Sequence, residues 1–458
     1  MNQVYHRQDG YLRAVSIFVF IYCLYGIAPY PVLAGTIGQS VGIASSPNPV
    51  GSGARAVGMG GAFIAVSDDA TAASWNPAGL IQLESPELSV AGTLDMRSEK
   101  FNSSIQPGSN TESQNEAFNA NYFSMSLPFN RFNRNMIVSI NYQRLYDFNR
   151  SLSYQTQTSV PPPVNLENVQ TRNYAQEGFL GALGLAFAIE ISPQLSIGVT
   201  ANIWSSDLGW ENGWHEEYTN HSVTRVGLTT QVEDTRITES YSDMQGLNFN
   251  LGLLWSPFAD LTFGAVFKTP FSAKFDHDYE YTWVRYNGAG GVTGSGNTRT
   301  SEPVELEMPM SYGLGVAWRF SDHFTMAFDI YRTQWSDYFL VDSQGNKMSP
   351  INALPKIQSD IEDTTQFRLG GEYLFYKPDG KIVIPLRGGL FYDPEPDQKN
   401  VKDFYGASIG TGIGYKQYIF DIAYQLRWGS QINSSNIIAS SNADIVQHTV
   451  LLSFVLHF

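Results

Sequence analysis

Three arginines, Arg368, Arg387 and Arg427, and three acids, Asp329, Glu372 and Asp421, stand in segments rich in apolar residues. A guanidinium is the side chain suited to a bidentate grip on a carboxylate. Two chemistries follow. One arginine holds the carboxylate of an amphipathic substrate, or the arginines pair internally, with these acids or with Asp68 and Asp69, because a buried unpaired charge is costly. Covalent chemistry has no comparable support. The seven histidines are scattered without metal-ligand spacing such as HExxH, and His448 and His457 belong to no motif. The sequence therefore predicts no catalytic set, no metal and no cofactor.

A second segment invites a chemical reading. Residues 49–80 run PVGSGARAVGMGGAFIAVSDDATAASWNPAGL, small and rich in glycine. A phosphate loop would end in Gly-Lys-Ser/Thr, which is absent. A dinucleotide fingerprint fails as well, since Phe63 follows Gly58-Met59-Gly60 where a third glycine belongs.

The elements that must position these residues are strands. Aromatic residues make up 14% of the chain and charged residues 16%, against about 25% charged in globular domains. After the N-terminal segment no apolar run reaches the roughly 18 residues of a membrane helix. Apolar side chains instead alternate. Val450, Leu452, Phe454, Leu456 and Phe458 form one face of the last segment. Phe420, Ile422, Tyr424, Leu426 and Trp428 form another, with Asp421 and Arg427 between them. Residues 302–320 read as one strand, with Leu306, Met308, Met310, Tyr312, Leu314, Val316, Trp318 and Phe320 on its apolar side. Period two puts the apolar set toward lipid and the small or polar set toward a lumen. By that parity the three arginines and their acids point inward.

About 14 such strands can be counted: 86–98, 118–129, 134–150, 172–191, 195–206, 245–257, 261–283, 302–320, 323–336, 364–376, 381–393, 402–416, 418–429 and 446–458. Short turns alternate with long polar segments at 99–117, 151–171, 207–244, 284–301, 337–363, 394–401 and 430–445. Short periplasmic turns and long outer loops mark outer-membrane barrels. The fold class is thus all-β, a transmembrane antiparallel barrel, with both chain ends on the periplasmic side.

The first residues read as an export signal. Arg7 and Arg13 precede an apolar stretch, Ala14 to Ile27, and Val32-Leu33-Ala34 offers a cleavage site. The expected division is a signal peptide at 1–34, a plug at 35–84 and the barrel at 85–458. Cys23, the single cysteine, falls in the signal, so the mature chain has no disulfide. A net charge of −15 argues against nucleic acid as a partner.

The 49–80 segment resembles the N-terminal hatch of the FadL/TodX family of outer-membrane transporters. The shared residues are Gly-Ala-Arg before Gly58-Met59-Gly60-Gly61-Ala62-Phe63, then Asp68-Asp69-Ala70, then Trp75-Asn76-Pro77-Ala78-Gly79-Leu80. Downstream, Leu314 to Arg319, Thr333 to Asp337, Arg368 to Tyr373 and Tyr392 to Pro396 look like family hairpins. The resemblance implies a 14-stranded barrel blocked by a hatch, and passive transport of long-chain fatty acids or other hydrophobic molecules. It implies gating at Gly58, Met59, Gly60, Phe63, Asp68, Asp69, Asn76, Pro77 and Ala78. It also implies a ligand groove on an outer loop, for which 207–244 offers Trp210, Trp214 and Tyr218. Gly410, Gly412 and Gly414 leave room beside the lumen, and Gly178, Gly181 and Gly184 mark a bend.

The expected partners are a hydrophobic small molecule, outer-membrane lipid, and the barrel assembly machinery, which the strand ending in Phe458 would address. Two rivals share the class. Secretion-system barrels carry nearly the same plug and hand proteins to the surface. A general porin would lack the plug and conduct polar solutes.

Overall fold

The computed structural model describes residues 51–458 except 106, 377–380, 435, 436 and 439. The expected signal at 1–34, Cys23, the first part of the plug and the turn at 377–380 lie outside the described residues.

The chain forms one antiparallel sheet. Its first strands are β1 (Glu87–Ser103), β2 (Thr111–Arg131), β3 (Arg134–Asp147), β4 (Arg150–Val160), β5 (Leu166–Ser192), β6 (Leu195–Ser205), β7 (Gly213–Val226) and β8 (Thr229–Phe258). Then come β9 (Leu261–Lys268), β10 (Phe271–Asn287), β11 (Val292–Met308), β12 (Ser311–Ser321), β13 (Phe324–Thr333), and the short β14 (Phe339–Val341) and β15 (Lys347–Met348). The last are β16 (Thr364–Tyr376), β17 (Ile382–Tyr392), β18 (Tyr405–Tyr415), β19 (Tyr418–Asn433) and β20 (Ser441–His457). Fourteen of them close a ring, in the order β1, β2, β3, β5, β6, β8, β9, β12, β13, β16, β17, β18, β19, β20. Closure is made by β20 against β1, with Val90 opposite Phe454 and Leu94 opposite Val450. A closed ring leaves no sheet edge unpaired. No helix among the described residues is long and apolar enough to cross a membrane.

The tight turns are local chemistry. Phe132 and Asn133 join β2 to β3 with φ of 52° and 57°, the two positive values of a type I′ hairpin turn, whose twist matches that of the strands. Pro193-Gln194, Ala259-Asp260 and Asp322-His323 make other two-residue turns at the same rim. The outward faces are apolar: Leu314, Phe420 and Leu452 are all more than half exposed.

Two expectations need correction. The segments 151–171, 207–244 and 284–301 are largely strand rather than loop. β4, β7, the first half of β8, β10 and β11 stand as hairpins on the long-connection side of the ring. Both faces of such extensions carry polar residues, so no apolar alternation betrays them, although Thr, Val and Tyr are abundant there.

The second correction concerns 302–320, which is two strands. Pro309-Met310 separates β11 from β12, and the inward parity changes there: Leu306 and Met308 are buried, as are Ser311 and Gly313. Proline donates no ladder hydrogen bond. Leu306 and Met308 therefore do not face lipid. Leu306 pairs with Leu340 on β14. The same break falls between β9 and β10, at Thr269-Pro270.

Candidate functional site

Residues 51–83 lie against inward side chains of strands all round the ring. They comprise a short helix (Ala54–Gly58), a second (Ala72–Trp75) and a 3-10 turn (Pro77–Gln82). Asn76 starts the last turn: its side-chain oxygen accepts from Ala78 N at 3.2 Å, and Pro77 supplies the fixed φ. The Asn76 amide also donates to Ile64 O at 2.8 Å and to Leu253 O on β8 at 3.0 Å. Met59, Phe63, Ile64 and Trp75 make an apolar knot with Val266, Ala317, Ala327 and Tyr331 of the wall. Phe63 meets Trp75 edge-on at 5.8 Å.

The wall binds this segment through its backbone. Ser453 on β20 accepts from Ala54 N, Ser408 on β18 accepts from Gly60 N, and Thr200 on β6 donates to Ala73 O, each at 2.8 Å. Ser196 donates to Ala78 O at 2.9 Å and Tyr122 to Ala70 O at 2.8 Å. Asp329 accepts from Phe63 N at 2.7 Å and Ile64 N at 2.9 Å. The approach is backbone to backbone at Gly60, whose φ is +68°. A Cβ on Gly389 would lie 2.2 Å from Gly60 N, so only glycine fits there. Gly410 likewise faces Gly58.

All six predicted inward charges are buried, and each arginine is occupied. Arg387 donates to Glu372 at 2.6 Å and to Asp421 at 2.5 Å. Arg427 donates to Asp393 and Glu395, both at 3.0 Å, over the ring of Phe404. Arg368 donates to Gly60 O at 3.1 Å and to Gln366. Asp68 and Asp69 do not reach any of these three. Their partner is Arg55, a residue to which the sequence reading gave no role. Arg55 lies 2.5 Å from Asp68 and 4.0 Å from Asp69, and donates to Glu372 at 3.1 and 2.9 Å. The result is a continuous chain of opposite charges, Asp68–Arg55–Glu372–Arg387–Asp421. Burial pushes the Asp69 carboxyl up, against the nearby Arg55 charge.

Cavities flank the segment on both sides. On the short-turn side a chamber of about 520 Å³ is lined by Arg55, Asp68, Asp69, Glu87, Glu372 and Arg387, among others. On the other side Tyr146, Trp204, Phe271, Tyr331, Trp335 and Lys268 line a cavity of about 50 Å³. Tyr331 belongs to both the cavity and the apolar knot. The Lys268 ammonium lies 5.9 Å from the centroid of the Tyr331 ring. Lys268 shares the inward parity of Gly264 and Val266, a signal that alternation carried but that the arginines obscured.

Trp214 is buried and stacked between Phe148 and Tyr241, so it does not line an exposed groove. Trp210 packs edge-on against Tyr142 at 4.8 Å. The structure thus separates Trp210 and Trp214 from the three arginines by element and by neighbours.

The family model for outer membrane protein transport proteins (OMPP1/FadL/TodX) matches residues 33–444. No curated protein matches the sequence. Among solved structures, the CymD monoaromatic hydrocarbon channel is similar over 90% of this chain and 98% of its own, at 15% identity and a TM-score of 0.52. A Pseudomonas aeruginosa FadL homologue is similar over 92% and 100%, at 13% identity and a TM-score of 0.55. The Pseudomonas putida toluene transporter TodX is similar over 89% and 98%, at 15% identity and a TM-score of 0.54.

Proposed function

The chain belongs to the OMPP1/FadL/TodX family of outer-membrane transport proteins, a transporter and channel family rather than an enzyme family, and on that premise we propose that residues 35–84 are a hatch that gates passive passage of hydrophobic molecules. The observation that carries this reading is the position of residues 51–83 between an aromatic cavity and a charged chamber. Water and ions meet a packed segment, while an apolar molecule finds aromatic walls on the outer side. Solved neighbours named for toluene and for monoaromatic hydrocarbons support that class of substrate. Long-chain fatty acids fit it as well: Lys268 lines the aromatic cavity, where an ammonium can meet their carboxylate. Arg368 and Arg387 serve the hatch instead, and Arg427 holds the β17–β18 connection through Asp393 and Glu395.

In this reading the short turns and both chain ends lie in the periplasm, the apolar outer face meets outer-membrane lipid, and the assembly machinery takes the strand ending in Phe458. The test is transport by the purified barrel in lipid vesicles. It should speed entry of labelled toluene or oleate over empty vesicles and leave arabinose excluded. Vesicles that swell in arabinose would identify an open pore and contradict the proposal.

A further inference from the structure

From Tyr146 and Phe271 the aromatic wall of the cavity continues into an aromatic roof that holds two buried carboxylates. One inward step beyond Tyr146, Phe148 stacks on Trp214 at 4.7 Å. Trp214 stacks on Tyr241 at 4.2 Å, and Tyr241 on His277 at 4.4 Å. Phe275, two inward steps beyond Phe271, closes the group edge-on to Trp214 at 5.3 Å. Gly178, at φ +140°, admits Trp214: a Cβ there would lie 2.5 Å from the Trp214 Cα. Glu216 and Glu239 sit in this group, each about 5% exposed.

Their partners are almost all neutral. Glu216 accepts from Trp214 Nε1 at 2.9 Å, Gln176 Nε2 at 3.1 Å and Tyr174 OH at 3.0 Å. Glu239 accepts from Tyr241 OH at 3.2 Å and lies 3.4 Å from His277 Nε2. From β4, Arg150 faces the cluster through Tyr174, but its guanidinium is held by Glu99 at 2.8 Å. From β10, Tyr279 completes the titratable groups around the pair. His277 lies beside Glu239. Glu216 has only neutral donors, and a buried charge in that position is costly.

The cavity beneath is about 50 Å³, far below the roughly 300–1,000 Å³ of small-molecule pockets. Admission of a substrate requires a wall to move. Resting on the transport reading above, we propose that Glu216 and Glu239, cross-strand neighbours on β7 and β8, form a proton-operated lock on this roof: with a proton held on the pair the β7–β8–β10 roof stays closed, and without it the roof loosens toward the open, ligand-admitting form.

The sign follows from the acid held in the closed form. Burial, then the neighbouring Glu239, pushes the Glu216 carboxyl up to about 7 from an ordinary 4.5. An open roof returns the group to water and to its ordinary value. The closed form therefore binds more protons between these limits. Its advantage is complete below pH 4.5 and is lost as pH rises through about 7.

The test is hydrogen–deuterium exchange on the full-length mature barrel in detergent, without substrate, at pH 6 and pH 8. After correction for base catalysis of exchange itself, peptides covering 214–218 and 237–241 should exchange at least about tenfold faster at pH 8, the effect of a single pKa unit. The difference should vanish in Glu216→Gln. Should that variant fail to fold, Glu239→Gln removes the other half of the pair and should flatten the profile equally. Equal exchange at both pH values in the wild type, or an unchanged rise in the variants, overturns the lock. No substrate enters the measurement, so a barrel with a pH-linked roof that fails to transport hydrophobic molecules would sink the transport reading alone.

Discussion

Arg55 of the plug segment holds Glu372 of the barrel wall through two hydrogen bonds, of 3.1 and 2.9 Å. Glu372 in turn receives Arg387 at 2.6 Å, so one carboxylate bolts the segment to β16 and β17 together. Hydrogen bonds to charged groups contribute roughly 1.5–3 kcal/mol each. Arg55→Ala should therefore leave Glu372 half-paired, loosen the hatch and raise single-channel conductance in planar bilayers well above the wild-type leak. Arg387→Ala should leak as well. Binding of a fatty acid and of its methyl ester should change alike at Arg368, Arg387 and Arg427. A selective loss for the acid at any of the three would restore the anchoring role that the sequence suggested.

Lys268 should behave in the opposite way. Lys268→Met keeps the length of the side chain and removes its charge. Affinity for a fatty acid should fall roughly ten- to a hundredfold, the range of one charged hydrogen bond, and affinity for the methyl ester should stay within about threefold. Calorimetric titration of both ligands checks this. Equal losses would move the carboxylate site elsewhere.

At Gly389 the wall and the hatch touch backbone to backbone, with 2.2 Å between a built Cβ and Gly60 N. Overpacking usually costs about 1–3 kcal/mol, and here the obstacle is main chain. Gly389→Val should displace Gly60, break its bond to Ser408 and speed proteolysis of the hatch in the folded barrel. The barrel itself should remain heat-modifiable on gels. Unchanged hatch cleavage would show that the contact is not maintained in the membrane.

The topology is open to labelling. A tag near Asn220, in the β7–β8 hairpin, should be reached by antibody on intact cells, and a tag at Asp322, in the two-residue turn between β12 and β13, should not. Labelling of Asp322 with none at Asn220 would invert the map.

Most of the barrel was legible because lipid and lumen impose period two on every crossing strand. Asp329 between Phe328 and Ile330, or Asp421 between Phe420 and Ile422, could be placed inward from neighbours alone, and both are buried. The rule lapsed where its cause lapsed. Beyond the ring neither face of β7 or of the first halves of β8 and β11 needs to be apolar, so 207–244 and 284–301 read as loops. At Pro270 and Pro309 the parity is reset, and Leu306 and Met308 went to the wrong face. The pairing of the hatch was hidden for another reason. That Arg55 rather than a wall arginine meets Asp68 depends on how a segment without periodicity folds back on itself, the two standing 13 positions apart. Trp214 stood out as an aromatic in a polar stretch; only the cross-strand register with Tyr241 shows that it is core.

If substrates pass only when the hatch moves, tethering the hatch to the wall should stop them. Thr200 on β6 donates to Ala73 O at 2.8 Å. Ala73→Cys with Thr200→Cys, joined by a disulfide or a short thiol-reactive bridge, would fasten the hatch to the wall without touching either cavity. Uptake of labelled toluene or oleate into vesicles should fall to the level of empty vesicles in the bridged barrel and return on reduction. Uptake by the bridged barrel at the wild-type rate would show that passage needs no movement of the hatch.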